Sequence, residues 1–283
     1  MSPKVYEKAV SATIWFTLVV VMLLMMFPVL WVILTSLKPG RMTFAIPPVW
    51  IFRPTLQNYR FLFFDSRFAL GVDIVGSMTN SFIVASTSTA VTIGASMYAA
   101  YALSRFRFPG KRLMAVVIIA TRMLPPIGTI IPFFLLIHSM GILDTRISLI
   151  IAYTALNLPL ATWMLRGFID EVPLELDDAA IVDGCGRGRT LWTIIAPLTA
   201  PGLVATAVFA YVLSWNDFAL ALVLTLRRAK TLPLLVTAFI TEEGVFWGPM
   251  SAAAIIVFIP PIILFLLTYK HLAKGLTLGA VKG

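Results

Sequence analysis

The feature that most constrains this chain is the grouping of its apolar residues into six long runs, at about 12–34, 74–103, 113–137, 148–165, 203–226 and 250–269. A helix needs about 20 mostly apolar residues to cross the hydrocarbon core of a bilayer, where every backbone polar group must be satisfied by the chain itself. An all-α membrane protein with six transmembrane helices is therefore expected over residues 12–271. The composition leaves little room for a soluble domain: 59% of the residues are hydrophobic and only 12% are charged, with a mean hydropathy of +0.94.

The net charge of +9 would suggest nucleic acid in a soluble protein. Here Lys and Arg sit at the ends of apolar runs and in short connections, which points to anionic membrane lipid and topology, with no nucleic acid partner. Lys4 and Lys8 precede the first run, which is too long for a signal-peptide core, and they place residues 1–11 in the cytoplasm. Six spans then put both termini, including a tail at 272–283, on the same face as the long connection 172–201. Pro28 is expected to bend the first helix, and Pro260-Pro261 to break the sixth. Residues 38–73 and 227–249 read as external loops, the first studded with aromatics suited to headgroup depth.

One cysteine, Cys185, and two distant histidines, His138 and His271, provide neither a disulfide nor a metal site. No G-x-x-x-x-G-K-[ST] phosphate loop, H-E-x-x-H pair or G-x-S-x-G elbow occurs, so the chain is expected to be a non-enzyme that binds no ATP or other cofactor by itself. Acids within the runs are too few for an ordinary proton relay.

Three places inside the runs carry polar groups. Arg122 lies in a run interrupted by Pro125, Pro126, Gly128 and Pro132, which predicts a broken, cavity-lining helix. The arginine either lines a translocation path or pins a helix carbonyl or a neighbouring subunit. Asn157 sits near Pro159 in the fourth run. Trp215, Asn216 and Asp217 fall in the middle of the fifth, where a helix-to-helix contact and a solute contact are both open. The second run is rich in Ala, Ser, Thr and Gly and is expected to pack internally.

The segment 172–201 is the one long, orderly charged interruption in the second half. Pro173 suits a first helical position, and Glu175, Asp177 and Asp178 then place carboxylates where a helix N-terminus favours them. Leu176, Ala179, Ala180 and Asp183 fall on one narrow face fit for close packing. Gly184, Gly186 and Gly188 permit a stop and a sharp turn, after which Leu191 to Ile195 form a second short amphipathic piece ending at Pro197.

Asp178-Ala179-Ala180, then Gly184, then Ile194-Ile195-Ala196-Pro197 resemble the E-A-A loop of bacterial ABC-importer permeases. The basic turn Arg105-Phe106-Arg107-Phe108-Pro109-Gly110, the Trp215-Asn216-Asp217 triplet and the tail Gly275-Leu276-Thr277 to Gly279-Ala280-Val281-Lys282-Gly283 are similar to the carbohydrate branch of that family, which includes the maltose-type second permease. The likeness covers nearly the whole chain. Asp178 stands where Glu is usual, Cys185 where Ala is usual, and Ala196 where Leu precedes the proline.

The resemblance implies a type I ABC importer permease fold with a cytoplasmic coupling helix, in a bacterial inner membrane. It implies a heterodimer with a second permease, two ATPase subunits that bind ATP and Mg, and a periplasmic or lipoprotein solute-binding protein. Glu175, Asp178, Ala179, Ala180, Asp183, Gly184 and Pro197 would couple to the ATPase, and Leu276, Thr277, Gly279 and Lys282 would touch it a second time. Sugar or sugar-like solute would move by alternating access. An ion-gradient-driven secondary transporter and a non-transporting scaffold are the alternatives, and the acid-Ala-Ala loop speaks against both.

Overall fold

The computed structural model describes residues 3–66, 71–242 and 244–278. It separates into two units: Met1–Asp73 with Val236–Phe258, and Ile74–Leu235 with Ile259–Gly283.

In the first unit, α1 (Pro3–Ser36) begins upstream of its apolar run and continues through Pro28, so the proline does not end it. A proline removes one donor, and within a long apolar helix that loss is tolerated. The apolar side chains of α1 from Ile14 to Ile33 are largely exposed. Its end is fastened by Asn58, whose buried Nδ2 donates to the carbonyls of Ser36 at 2.8 Å and Lys38 at 2.9 Å. Ser36 Oγ and Tyr59 Oη form a further hydrogen bond of 2.9 Å. The only strands among the described residues are β1 (Ile240–Thr241) and β2 (Gly244–Val245), an antiparallel pair in which Ile240 faces Val245.

The second unit is built on α2 (Ile74–Arg105), α3 (Lys111–Ala120), α4 (Pro126–Ser139), α5 (Arg146–Asp170), α6 (Leu174–Val182), α7 (Ala200–Asn216) and α8 (Ala219–Leu224). Ser77, Ser81, Ala85, Ser88, Thr92, Ser96 and Ala100 are all buried and recur every three or four residues along α2. This stripe of small residues is what lets neighbouring helices approach closely without a hydrophobic drive from water. One apolar core gathers Val84, Leu149, Ala152, Tyr153, Leu220 and Leu224. A second gathers Met97, Tyr101, Leu165, Ile169, Leu191 and Ile195.

Ser11–Ser36, Ile74–Arg105, Arg146–Asp170 and Trp247–Tyr269 are each long and apolar enough to cross a membrane. Two bent pairs, Lys111–Met123 with Ile127–Ser139 at 98° and Arg187–Leu198 with Ala200–Asn216 at 88°, bring the number to six when each is one span. The break in the third run comes where the sequence predicted it. Leu124, forced out of helical geometry by the proline that follows, is extended at ψ 131°.

Two expectations are corrected. The fifth run is not one helix: α7 stops at Asn216, Asp217 is extended at ψ 125°, and α8 restarts at Ala219. The last helix, α9 (Trp247–Leu278), is not broken at Pro260-Pro261 and runs into the residues expected to form a separate tail. Leu276 and Thr277 are thus helical in backbone, while Gly279 and Lys282 lie outside the described residues.

Candidate functional site

The segment 172–201 folds as two helical pieces around a glycine turn. Pro173 stands at the N-cap of α6, one position earlier than expected, and Glu175 and Asp177 occupy the first turn. The helix ends in a Schellman arrangement: Gly184 is left-handed at φ 82°, Gly184 N–H donates to Ile181 O at 3.0 Å, and Cys185 N–H to Ala180 O at 2.8 Å. That geometry is why glycine is needed at this position. The chain then turns into Arg187–Leu198, with a π-helical stretch at Leu191–Ile195.

The packed face of α6 differs from the one expected. Ala180 is buried, but Leu176, Ala179 and Asp183 are exposed, and the inward position is taken by Asp177. The Asp177 carboxylate is held from two sides at the end of α2. Arg105 Nε donates to Oδ2 at 2.9 Å and Tyr101 Oη donates to Oδ1 at 2.7 Å. Arg105 Nη2 also donates to the carbonyl of Val172 at 2.8 Å, just ahead of α6. Around this pair, Phe106 meets Tyr101 edge-on at 6.1 Å, and the Arg187 guanidinium lies 4.6 Å from the Phe106 ring centroid. Lys111 Nζ closes the basic turn on the carbonyls of Ser104 and Phe106.

With Asp177 and Ala180 turned inward, the outer surface of α6 presents Leu174, Asp178, Ala179, Ile181 and Val182, the last 85% exposed. Glu175, Asp183 and Gly184 are exposed beside them, as is Pro197 in the second piece. An apolar strip rimmed by acids, on a helix anchored from behind by a buried ion pair, has the make-up of a docking surface.

The second feature is a cavity of about 510 Å³ framed by the two helix breaks, α3 to α4 and α7 to α8. Arg122, Asn157 and Asp217, the polar groups singled out in three separate runs, all line it, together with Thr129, Phe133 and Tyr153. Each is also tied to the frame. Arg122 Nη1 donates to Leu156 O at 3.0 Å. Asn157 Nδ2 donates to Ser214 Oγ at 2.9 Å, and Ser88 Oγ donates to the same oxygen at 3.2 Å, joining α5, α7 and α2. Asp217 Oδ1 accepts the N–H groups of Leu220 at 3.0 Å and Ala221 at 3.4 Å, which caps α8. Trp215 and Asn216 are not brought to the cavity: Trp215 is buried against Tyr211, with ring centroids 5.8 Å apart, and Asn216 is exposed.

At the opposite end of α5 from α6, a clamp appears that the sequence reading missed. Asp144, itself left-handed at φ 57°, accepts backbone N–H groups from Leu226, Arg227, Arg228 and Ala229. Burial pushes its carboxyl up, but these amides, Leu226 first, outweigh burial and hold it below the usual range. Asn80 Nδ2 binds the carbonyls of Arg228 and Lys230, and Arg146 Nε donates to Asn80 Oδ1 at 2.7 Å. No motif marks Asp144, because its partners are backbone amides some eighty positions away.

Residues 90–278 match the family of binding-protein-dependent transport system inner membrane components. The chain is 36% identical over 260 residues to the trehalose/maltose transport system permease protein MalG of Thermococcus litoralis, covering 91% of this chain and 92% of that one. It is 33% identical over 281 residues to the diacetylchitobiose uptake system permease protein DasC of Streptomyces coelicolor, covering 98% and 100%. In fold it is similar to a chain of a bacterial ABC transporter involved in import of the acidic polysaccharide alginate, with a TM-score of 0.77 at 21% identity, covering 96% and 99%.

Proposed function

Because the chain belongs to the family of binding-protein-dependent transport system inner membrane components, we propose that it is the permease subunit through which an ATP-driven importer passes a sugar or sugar-like solute. The relatives named above are permeases of trehalose/maltose and diacetylchitobiose systems, which supports the carbohydrate class. The observation that carries the reading is the exposed acidic and apolar surface of α6, held on a buried ion pair and sharing one compact unit with a cavity between broken helices that Arg122, Asn157 and Asp217 line.

In this reading the chain itself is not an enzyme. Two ATPase subunits bind ATP and Mg and receive Glu175, Asp178, Ala179 and the neighbouring α6 surface in a cleft, with Asp183, Gly184 and Pro197 shaping the two-helix lever and Ala180 seating it. The tail, Leu276 and Thr277 on α9 followed by Gly279 and Lys282, supplies a second contact. A second, related permease completes the path, and a periplasmic or lipoprotein solute-binding protein delivers the solute from the other face. Both termini and α6 lie in the cytoplasm.

Nucleotide-driven closure of the ATPase pair shifts α6, and Arg105 passes that movement to α2, so that the cavity opens alternately to either side. Arg122, Asn157 and Asp217 then face the solute as it passes, each braced by the helix contacts described above. Reconstitution of the complex in liposomes tests the reading. Uptake of the binding protein's sugar should require external binding protein and internal ATP, and accumulation driven by an ion gradient without ATP would refute it.

A further inference from the structure

Lys38 lies two positions beyond the Ser36 end of α1, yet it is only 2% exposed. Its ammonium rests 4.3 Å from the ring centroid of Trp31 and 5.6 Å from that of Phe52. Among the described residues no carboxylate pairs with it, and the ion pairs found are Arg105–Asp177 and Arg166–Asp170. Aromatic faces return to a cation only a small part of what an ammonium loses on leaving water without a counter-charge.

The same side chain lines a cavity of about 320 Å³, walled by Trp31, Thr35, Thr43, Trp247 and Ser251, all within the first unit. This lining supplies a positive charge, hydroxyl groups and indole faces but no acid. A site of that make-up suits an anion that arrives with its own apolar surroundings.

The membrane provides one. The apolar side chains of α1 are exposed up to Ile33, so Lys38 stands where hydrocarbon gives way to headgroups, and Trp31, Trp50 and Trp247 cluster at the same end in the manner of an interfacial belt. Acyl chains can follow the exposed surface of α1 while a headgroup reaches inward to the ammonium. We infer that Lys38 and its cavity bind the phosphate-bearing headgroup of an anionic phospholipid at the Ser36 end of α1.

The assembled complex, purified in mild detergent and supplied with phosphatidylglycerol, tests this by native mass spectrometry. The wild type should retain one phosphatidylglycerol more per copy of this chain than Lys38→Met, whereas Lys38→Arg should keep it. Excess inorganic phosphate should not displace it. If Lys38→Met fails to assemble, Thr43→Leu, which narrows the cavity and leaves the ammonium, should lose the same lipid. Equal retention in wild type and variants would overturn the assignment, as would displacement by inorganic phosphate, which would mark a site for free anions, or occupation by an acidic segment of a partner protein.

Discussion

Arg105 and Asp177 form a buried ion pair, Nε to Oδ2 at 2.9 Å with side chains 5% and 8% exposed, that joins the end of α2 to the inner face of α6. It couples the exposed surface of α6 to the helix that packs against both α5 and α7. Removing one member of such a pair leaves an uncompensated charge and costs about 3–5 kcal/mol.

Asp177→Asn and Arg105→Gln should therefore loosen α6 from α2. Asp177→Asn keeps an acceptor for Tyr101, so it is expected to assemble more readily than Arg105→Gln. In liposomes both should lower solute moved per ATP hydrolysed, more than they lower hydrolysis itself. Equal losses of the two rates would show that the pair serves only to fold the segment.

The Asp144 clamp predicts an acid-sensitive loop. Because its carboxyl is held below the usual range, its contribution to stability is present above the unfolded carboxylate's pKa and is lost as pH falls through the lower folded value. Residues 226–229 should gain amide hydrogen exchange in that acid window. Asp144→Asn, which keeps one acceptor oxygen, should show the faster exchange already at neutral pH.

Asp217 can be separated into its two parts. Asp217→Ala removes the cap of α8 and should cost about 0.5–2 kcal/mol in thermal stability. Asp217→Asn retains an oxygen for the Leu220 and Ala221 amides and should stay close to wild type in stability. If the carboxylate faces the solute, Asp217→Asn still raises the KM of uptake; an unchanged KM would leave Asp217 as a cap alone.

Four spans were legible because their length and apolarity are set by the bilayer, and the break at Pro125-Pro126 because proline acts locally. The turn at Gly184 was legible for the same reason. Asp177 was not, since nothing within its own helix distinguishes it from Asp178, and its partner Arg105 is 72 positions away. The division of the fifth run at Asp217 was hidden because a capping aspartate inside an apolar stretch reads like a buried polar residue. Asp144 escaped for a related reason: its ligands are backbone amides, which carry no sequence signature. Composition located Arg122, Asn157 and Asp217 one by one, and only the fold brought them around a single cavity.

The proposed docking of an ATPase on the outer surface of α6 is open to direct test. Ala179 offers the cleanest measurement, because it is exposed while its neighbour Ala180 is buried, so Ala179→Arg changes the docking surface and leaves the anchored face intact. In the reconstituted complex this variant should fold and insert normally but lose solute-stimulated ATP hydrolysis and uptake together. Wild-type values for both in Ala179→Arg would rule out that docking.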